Sequence, residues 1–198
     1  MSSSLEVITG PMYSGKTEEL IRRLKRVSIA GLKALVLRPD LDTKRYMDIQ
    51  THDGSFALTS YTNFKPLVVS RDLKEMAEIW ELVEGCDVLA IEEAQFFKPE
   101  VCGFVDRALL MDKKRIICAG LDMDCKGCPF GQMPWLLAKA TTVTKLTAVC
   151  SGCSLETATR TQAKVEIQGS VSEAVGGVEM YEARCLDCWA LPLLGSQQ

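Results

Sequence analysis

Leu5-Glu-Val-Ile-Thr-Gly-Pro-Met-Tyr-Ser-Gly-Lys-Thr17 is the stretch on which the reading of this chain turns. A short apolar run, Leu5 to Thr9, reads as a strand leading into Gly10-Pro11-Met12-Tyr13-Ser14-Gly15-Lys16-Thr17, which has the spacing of a phosphate-binding loop. The two glycines leave the backbone free to curl, so that successive N–H groups face phosphate oxygens. Lys16 supplies a point charge to the β- and γ-phosphates, and the Thr17 hydroxyl can ligate Mg²⁺. Thr17 to Ala30 then carries Leu20, Ile21, Leu24 and Val27 at the spacing of a helix buried along one face. Its positive end would point at the phosphates. An eight-residue match in an isolated turn would carry little; a strand before it and a helix after it make the match specific.

Outward from this loop the pattern repeats. Gly31 ends the helix, and Lys33 to Pro39 (KALVLRP) predicts the next buried strand. Residues 40–68 are mixed and polar, with Thr51 to Ser55 as a turn. Asp72 to Glu84 places Leu73, Met76, Ile79, Trp80 and Val83 on one helical face, and Gly85 stops it. Val88 to Ile91 predicts a third strand, Glu100 to Met111 a short helical stretch, Arg115 to Leu121 a fourth strand and Val143 to Cys150 a fifth. Strands alternating with helices argue for an α/β fold, a parallel sheet flanked by helices. After Cys150 the composition shifts to paired cysteines, few helical periods and Gly176-Gly177. The expected division is therefore a nucleotide-binding α/β domain over residues 1–149 and a small metal-stapled module over residues 150–198.

Whole-chain properties limit the partners. Of 198 residues, 47% are apolar and 25% charged, which suits an ordinary water-soluble globular chain. The net charge of −3 argues against a broad basic face for duplex nucleic acid. The opening MSSS is polar, the apolar run after it is short, and no apolar stretch reaches the ~20 residues that span a bilayer. The expected location is the cytoplasm. Nine cysteines, an odd number, then read as metal ligands where paired at short spacing and as small buried hydrophobes where isolated, like Cys86 and Cys118.

Two further constellations carry chemistry. Ile91-Glu92-Glu93-Ala94-Gln95-Phe96-Phe97 ends a buried parallel strand with two carboxylates, at the sheet edge where such folds bind ligands. One acid of the pair is placed to hold Mg²⁺ through water, and the other to accept a proton from a substrate hydroxyl. Cys150-x-x-Cys153 and Cys185-x-x-Cys188 are separated by 31 residues and supply four thiolates, the ligand set of structural zinc at ~2.3 Å. Cys125-x-x-Cys128 competes as a ligand pair, a redox pair or two unrelated thiols. The later pairs are favoured because both lie in a turn-rich segment without a core of its own. His52 reads as an ordinary loop side chain, Trp80, Trp135 and Trp189 as core or interface residues, and Lys113-Lys114-Arg115 as a solvated turn.

Taken in order, GPMYSGKT, THD, IEEAQFF, GLDMD with PFG, KLTAVCSGC and VGGVEMYEARCLDC resemble the type II thymidine kinases, the zinc-containing, phosphate-loop class, from about Leu5 to Trp189. The resemblance implies a RecA-like P-loop sheet and a zinc-stapled module whose lasso-like loop covers the nucleoside. It implies transfer of the ATP γ-phosphoryl group to the 5′-hydroxyl of thymidine, giving dTMP, with Glu93 as general base and Glu92 beside Thr17 as the Mg²⁺-associated acid. Gly10, Pro11, Met12, Tyr13, Ser14, Gly15, Lys16, Thr17, Asp53 and Gln95 would belong to the ATP side. Met12, Phe96, Leu121, Phe130, Thr161 and Tyr181 would line the nucleoside pocket, and the backbone of Ser172, Glu173, Ala174, Val175 and Gly176 would read the base edge. Zn²⁺ on Cys150, Cys153, Cys185 and Cys188, a homotetramer, and inhibition by dTTP also follow from the resemblance. Glu92 stands where the family commonly has Asp, Cys125 where it has an aromatic residue, and Ala163 where a basic one is frequent.

Two other classes compete. A RecA-like ATPase gripping nucleic acid through its zinc module predicts a basic groove, which the acidic balance opposes. A zinc adaptor that merely retains nucleotide has no reason to keep Lys16, Thr17 and Glu93 together.

Overall fold

The computed structural model describes residues 3–41, 57–165 and 179–190. His52, Asp53, the predicted turn at 51–55 and the segment Ser172 to Gly176 lie outside the described residues. Six parallel strands form one sheet: β1 (Ser4–Thr9), β2 (Ala34–Pro39), β3 (Pro66–Val69), β4 (Val88–Ile91), β5 (Arg115–Gly120) and β6 (Thr142–Lys145). Their spatial order is β3-β2-β4-β5-β1-β6. β1 thus lies between β5 and β6, and the chain leaves it for β2 on the far side of β5 and β4. That reversal of direction is a topological switch point, and ligands bind outside the carboxyl ends of strands at such points.

Among the described residues, five helices connect the strands: α1 (Lys16–Ile29), α2 (Leu58–Tyr61), α3 (Met76–Glu84), α4 (Glu100–Leu110) and α5 (Met133–Lys139). Side chains alternate across a strand, so each strand contributes to two cores. Ile8, Val36, Ala90, Ile117 and Ala119 face Leu20, Ile21, Leu24 and Val27 of α1 and Leu58 of α2. Leu5, Val7, Leu37, Leu89, Ile91, Ile116 and Cys118 face Ile79, Trp80 and Val83 of α3, Val101, Phe104 and Val105 of α4, and Met133 and Leu136 of α5. Fully burying one such aliphatic or aromatic side chain contributes about 1.5–3 kcal/mol. This double coverage is what the unbroken apolar run of β4 requires, and all four of its residues are buried.

The predicted α/β fold is the observed one, with differences at its margins. The described end of the stretch read as mixed and polar holds the short α2, and the edge strand β3 runs on from it to Val69. Edge position explains why β3 lacks a continuous buried run: Val68 is exposed while Val69 is buried. The helix expected from Asp72 begins at Met76, because Leu73 adopts φ 52° and breaks the preceding turn. The fifth predicted strand is β6, on the other edge, and it pairs with β1 only from Thr142 to Lys145. α5 begins with Met133-Pro134, a proline in the first helical turn, where its missing N–H is harmless. Lys114 and Arg115 are tied down rather than solvated: Lys114 donates to the Cys86 carbonyl at 2.6 Å and Arg115 to Glu6 at 2.6 Å.

Past Cys150 a second, two-stranded antiparallel sheet forms from β7 (Arg160–Ala163) and β8 (Tyr181–Arg184). Its small core comprises Ala148, Cys150, Ala158, Ala183 and Cys185, with Tyr13 of the phosphate-loop motif packed against it.

Candidate active site

The polar residues that the sequence singled out around the sheet, Lys16, Thr17, Glu92, Glu93 and Gln95, follow the carboxyl ends of β1 and β4. Parallel registers set Thr9 opposite Gly120 and Ile91 opposite Cys118, so the residues two past Ile91 rise to the level of Gly120. After Thr9 the chain turns at Gly10, where φ is 145°; a Cβ there would lie 2.4 Å from the Leu146 carbonyl oxygen and 2.8 Å from Ser14 Oγ. Only glycine fits that backbone and that space. Gly15, at φ 80°, starts α1. Lys16 Nζ donates to the Pro11 carbonyl oxygen at 2.6 Å, and Ser14 Oγ donates to the same oxygen at 2.8 Å. The loop therefore folds back around the lysine.

Burial pushes the Lys16 ammonium down to about 8, against the pull of Glu93, Asp122 and Glu92. Among the described residues, those three carboxyls are the charges that act on it. Glu92, itself 6% exposed, is pushed up to about 8, first by burial and next by the Glu93 charge, while Arg38 and Lys16 oppose the shift. Arg38 Nε lies 3.5 Å from Glu92 Oε2, beyond a good hydrogen bond, and that oxygen is buried with no hydrogen-bond partner among the described residues. A partner-poor buried carboxyl beside a phosphate loop fits a divalent cation. Glu93 takes the left-handed conformation, φ 52°, and opens the single 3₁₀ turn Ala94–Phe96. This turn brings Gln95 back to Glu93, to which its Nε2 donates.

A second cluster adjoins the loop. Met12, Cys125 and Tyr181 are buried together, with Leu121, Ala163, Met180 and Tyr13 packed against them. Three residues expected on the nucleoside side (Met12, Leu121 and Tyr181) are thus one apolar group, and Phe96 meets Phe130 edge-on at 5.3 Å between ring centres. Thr161 on β7 accepts a hydrogen bond from the Met12 N–H at 3.1 Å, and the Tyr13 hydroxyl donates to the Tyr181 carbonyl at 3.2 Å. The small sheet is consequently bonded to the phosphate loop at two points. Thr17 lies at the start of α1 beside Lys16.

Cys150, Cys153, Cys185 and Cys188 converge with all four sulfurs within 4.8 Å of one another. Four thiolates around zinc at ~2.3 Å require sulfurs roughly this close. Backbone N–H groups of Cys185 and Gly152 donate to Cys150 Sγ at 3.3 and 3.4 Å, and these bonds, the Cys185 one foremost, bring its thiol down to about 6. A metal fits these residues. Cys125 and Cys128 belong elsewhere: the first is buried in the cluster with Met12 and Tyr181, the second is exposed.

Some participants were not anticipated. Asp122, 8% exposed, is paired with Lys145 Nζ at 2.8 Å and faces Lys16, although its motif GLDMD was visible. Arg38 read as part of a buried strand; a lone cation inside an apolar run was the available signal. Among the described residues, no helix is long and apolar enough to cross a membrane.

The thymidine kinase family model matches residues 3–189. A relative named thymidine kinase, from Coprothermobacter proteolyticus, is 43% identical over 185 residues, covering 91% of this chain and 87% of its own. With a phosphate loop, an acid pair and a four-cysteine cluster on one α/β frame, the chain belongs to the thymidine kinase family and is a nucleoside kinase.

Proposed function

We propose that this protein transfers the γ-phosphoryl group of ATP to the 5′-hydroxyl of thymidine, giving dTMP for the salvage of deoxynucleosides into DNA precursors. The observation that carries the reading is the gathering of Lys16, Glu92 and Glu93 past the carboxyl ends of β1 and β4, which flank β5, beside a buried apolar cluster. Residues 10–17 cradle the donor phosphates, with Lys16 neutralising charge at the β- and γ-positions. Glu93 takes the proton of the 5′-hydroxyl as the phosphoryl group moves in line. Thr17 and Glu92 would hold Mg²⁺, with Gln95 and Asp53 nearby. Bound there, Mg²⁺ would supply positive charge that offsets the charge developing on the phosphates.

Met12, Leu121 and Tyr181, with Phe96, Phe130 and Thr161, enclose the thymine and deoxyribose in a dry pocket. The backbone of residues 172–176 supplies the donors and acceptors for the base edge, and closure of that segment would exclude water and limit wasteful hydrolysis. Cys150, Cys153, Cys185 and Cys188 would hold structural Zn²⁺, tying the knuckle before β7 to the one after β8. Family membership further supports a cytoplasmic homotetramer inhibited by dTTP, a ligand long enough to occupy both the nucleoside pocket and the loop.

Labelled ATP, Mg²⁺ and a panel of nucleosides test this reading beside a Glu93→Gln variant. Thymidine should be labelled by the wild type, and kcat should fall by about 10²–10⁴-fold in the variant. Hydrolysis stimulated by single-stranded DNA, without any labelled nucleoside, would instead favour the nucleic-acid ATPase.

A further inference from the structure

Gln95 is 2% exposed, and both ends of its amide are engaged. Oε1 accepts the Leu121 backbone N–H at 3.0 Å, where the chain leaves β5. Nε2 donates to Glu93 Oε2. The first contact fixes the second: a backbone N–H can only donate, so the oxygen must face Leu121 and the NH₂ must face Glu93. The amide therefore presents a donor to the carboxylate and leaves the other carboxylate oxygen, Oε1, without a bond from it.

The surroundings hold the amide in place. A Cβ on Gly120 would come within 2.5 Å of Gln95 Oε1 and 2.9 Å of Met133 Sδ. A Cβ on Gly131 would overlap the Gln95 backbone carbonyl at 2.0 Å. Two chain segments thus approach Gln95 as closely as glycine permits, one beneath the side chain and one against the backbone. Glu93 sits at φ 52°, a conformation that non-glycine residues hold only when their neighbours enforce it.

We propose that Gln95 is a positioning residue for the general base: it clamps Glu93 Oε2 to the end of β5 through the Leu121 N–H, so that Glu93 Oε1 is aimed at the substrate hydroxyl. This rests on the reading of Glu93 as base, and it departs from a role for Gln95 as a ligand of the ATP phosphates. The same clamp connects the base to the nucleoside pocket, because Leu121 packs in the cluster with Met12 and Tyr181.

Steady-state kinetics of Gln95→Glu, Gln95→Met and Gly120→Ala decide the matter. Gln95→Glu keeps an acceptor for the Leu121 N–H and sets a carboxylate against Glu93. Gln95→Met keeps the length of the side chain without either bond, and Gly120→Ala displaces the amide without changing a polar group. Each should lower kcat by about 10- to 100-fold, the scale of an ångström-level misplacement of a reacting group, with both KM values within about 3-fold of wild type. In the Glu93→Gln background, Gln95→Met should change kcat by less than about 3-fold, since there is no base left to aim. Wild-type kcat in Gln95→Glu, an equal loss in both backgrounds, or a KM for ATP raised about tenfold or more with kcat retained would overturn the assignment. A wild-type protein that labels no nucleoside would sink the kinase reading first, before any variant is compared.

Discussion

Lys16 shows how one side chain links burial to ligand binding. Its ammonium is pushed down to about 8 by desolvation, while Glu93, Asp122 and Glu92 pull the other way. A polyphosphate favours the charged form, so binding raises the lysine pKa and takes up a proton near pH 8. Without Mg²⁺, so that the raised Glu92 carboxyl has no cation to bind, ATP affinity should hold from pH 7 to about 8 and then fall by up to about tenfold per pH unit. Calorimetry in buffers of different ionisation enthalpy should register proton uptake that Lys16→Met abolishes; pH-independent binding by the wild type would refute this. In the free protein the linkage has the same origin: with the folded pKa below the unfolded one, Lys16 weakens stability below about pH 8, and that penalty fades as pH rises toward 10.5. The lysine was legible in the sequence because the loop spacing names it. Gln95 was named only on the ATP side by resemblance; its contact with Glu93 was not legible, because it depends on a left-handed residue that no pattern of residue types announces.

At the scale of elements, the phosphate loop trades backbone freedom for shape. Gly10→Ala forces a Cβ into the Leu146 carbonyl and imposes a strained φ, a penalty of about 1–3 kcal/mol. For a chain of this size that corresponds to a melting temperature lower by roughly 2–12 °C, accompanied by weaker ATP binding, both measurable by thermal scans with and without nucleotide. α1 behaves differently along its two faces. Leu24 is fully buried, so Leu24→Ala should cost about 2–5 kcal/mol, whereas Ile29, 77% exposed, should tolerate alanine within about 0.5 kcal/mol in urea unfolding. The 3.6-residue period predicted that contrast directly. The edge strands β3 and β6 and the hairpin β7–β8 were less legible, since short, half-exposed strands lack both a continuous apolar run and a clean alternation.

For the whole molecule, the question is how the cysteine-stapled sheet influences chemistry on the larger one. Thr161 and Tyr181, both on the small sheet, are bonded to Met12 and Tyr13. Thr161→Val leaves the Met12 N–H buried without its acceptor, a cost of about 1–3 kcal/mol, and should raise the KM for nucleoside more than it lowers the melting temperature alone would explain. Cys185→Ser, or chelation under mild heating, should release zinc, lower the melting temperature and weaken nucleoside binding; zinc content and affinity measured on the same sample check whether the losses coincide. The sequence by itself determined the phosphate loop, the acid pair, the four-cysteine cluster and the alternation that dictates a parallel sheet. All of these are local spacings, and spacing survives in a linear string. Only the tertiary structure decided that Asp122 and Arg38 face the buried lysine and acid, and that Gln95 joins Glu93 to the end of β5. It also decided that the stapled sheet is hydrogen-bonded to the phosphate loop. Those relations join residues by strand order and close approach, which are set when the sheet assembles and leave no periodic trace in the chain.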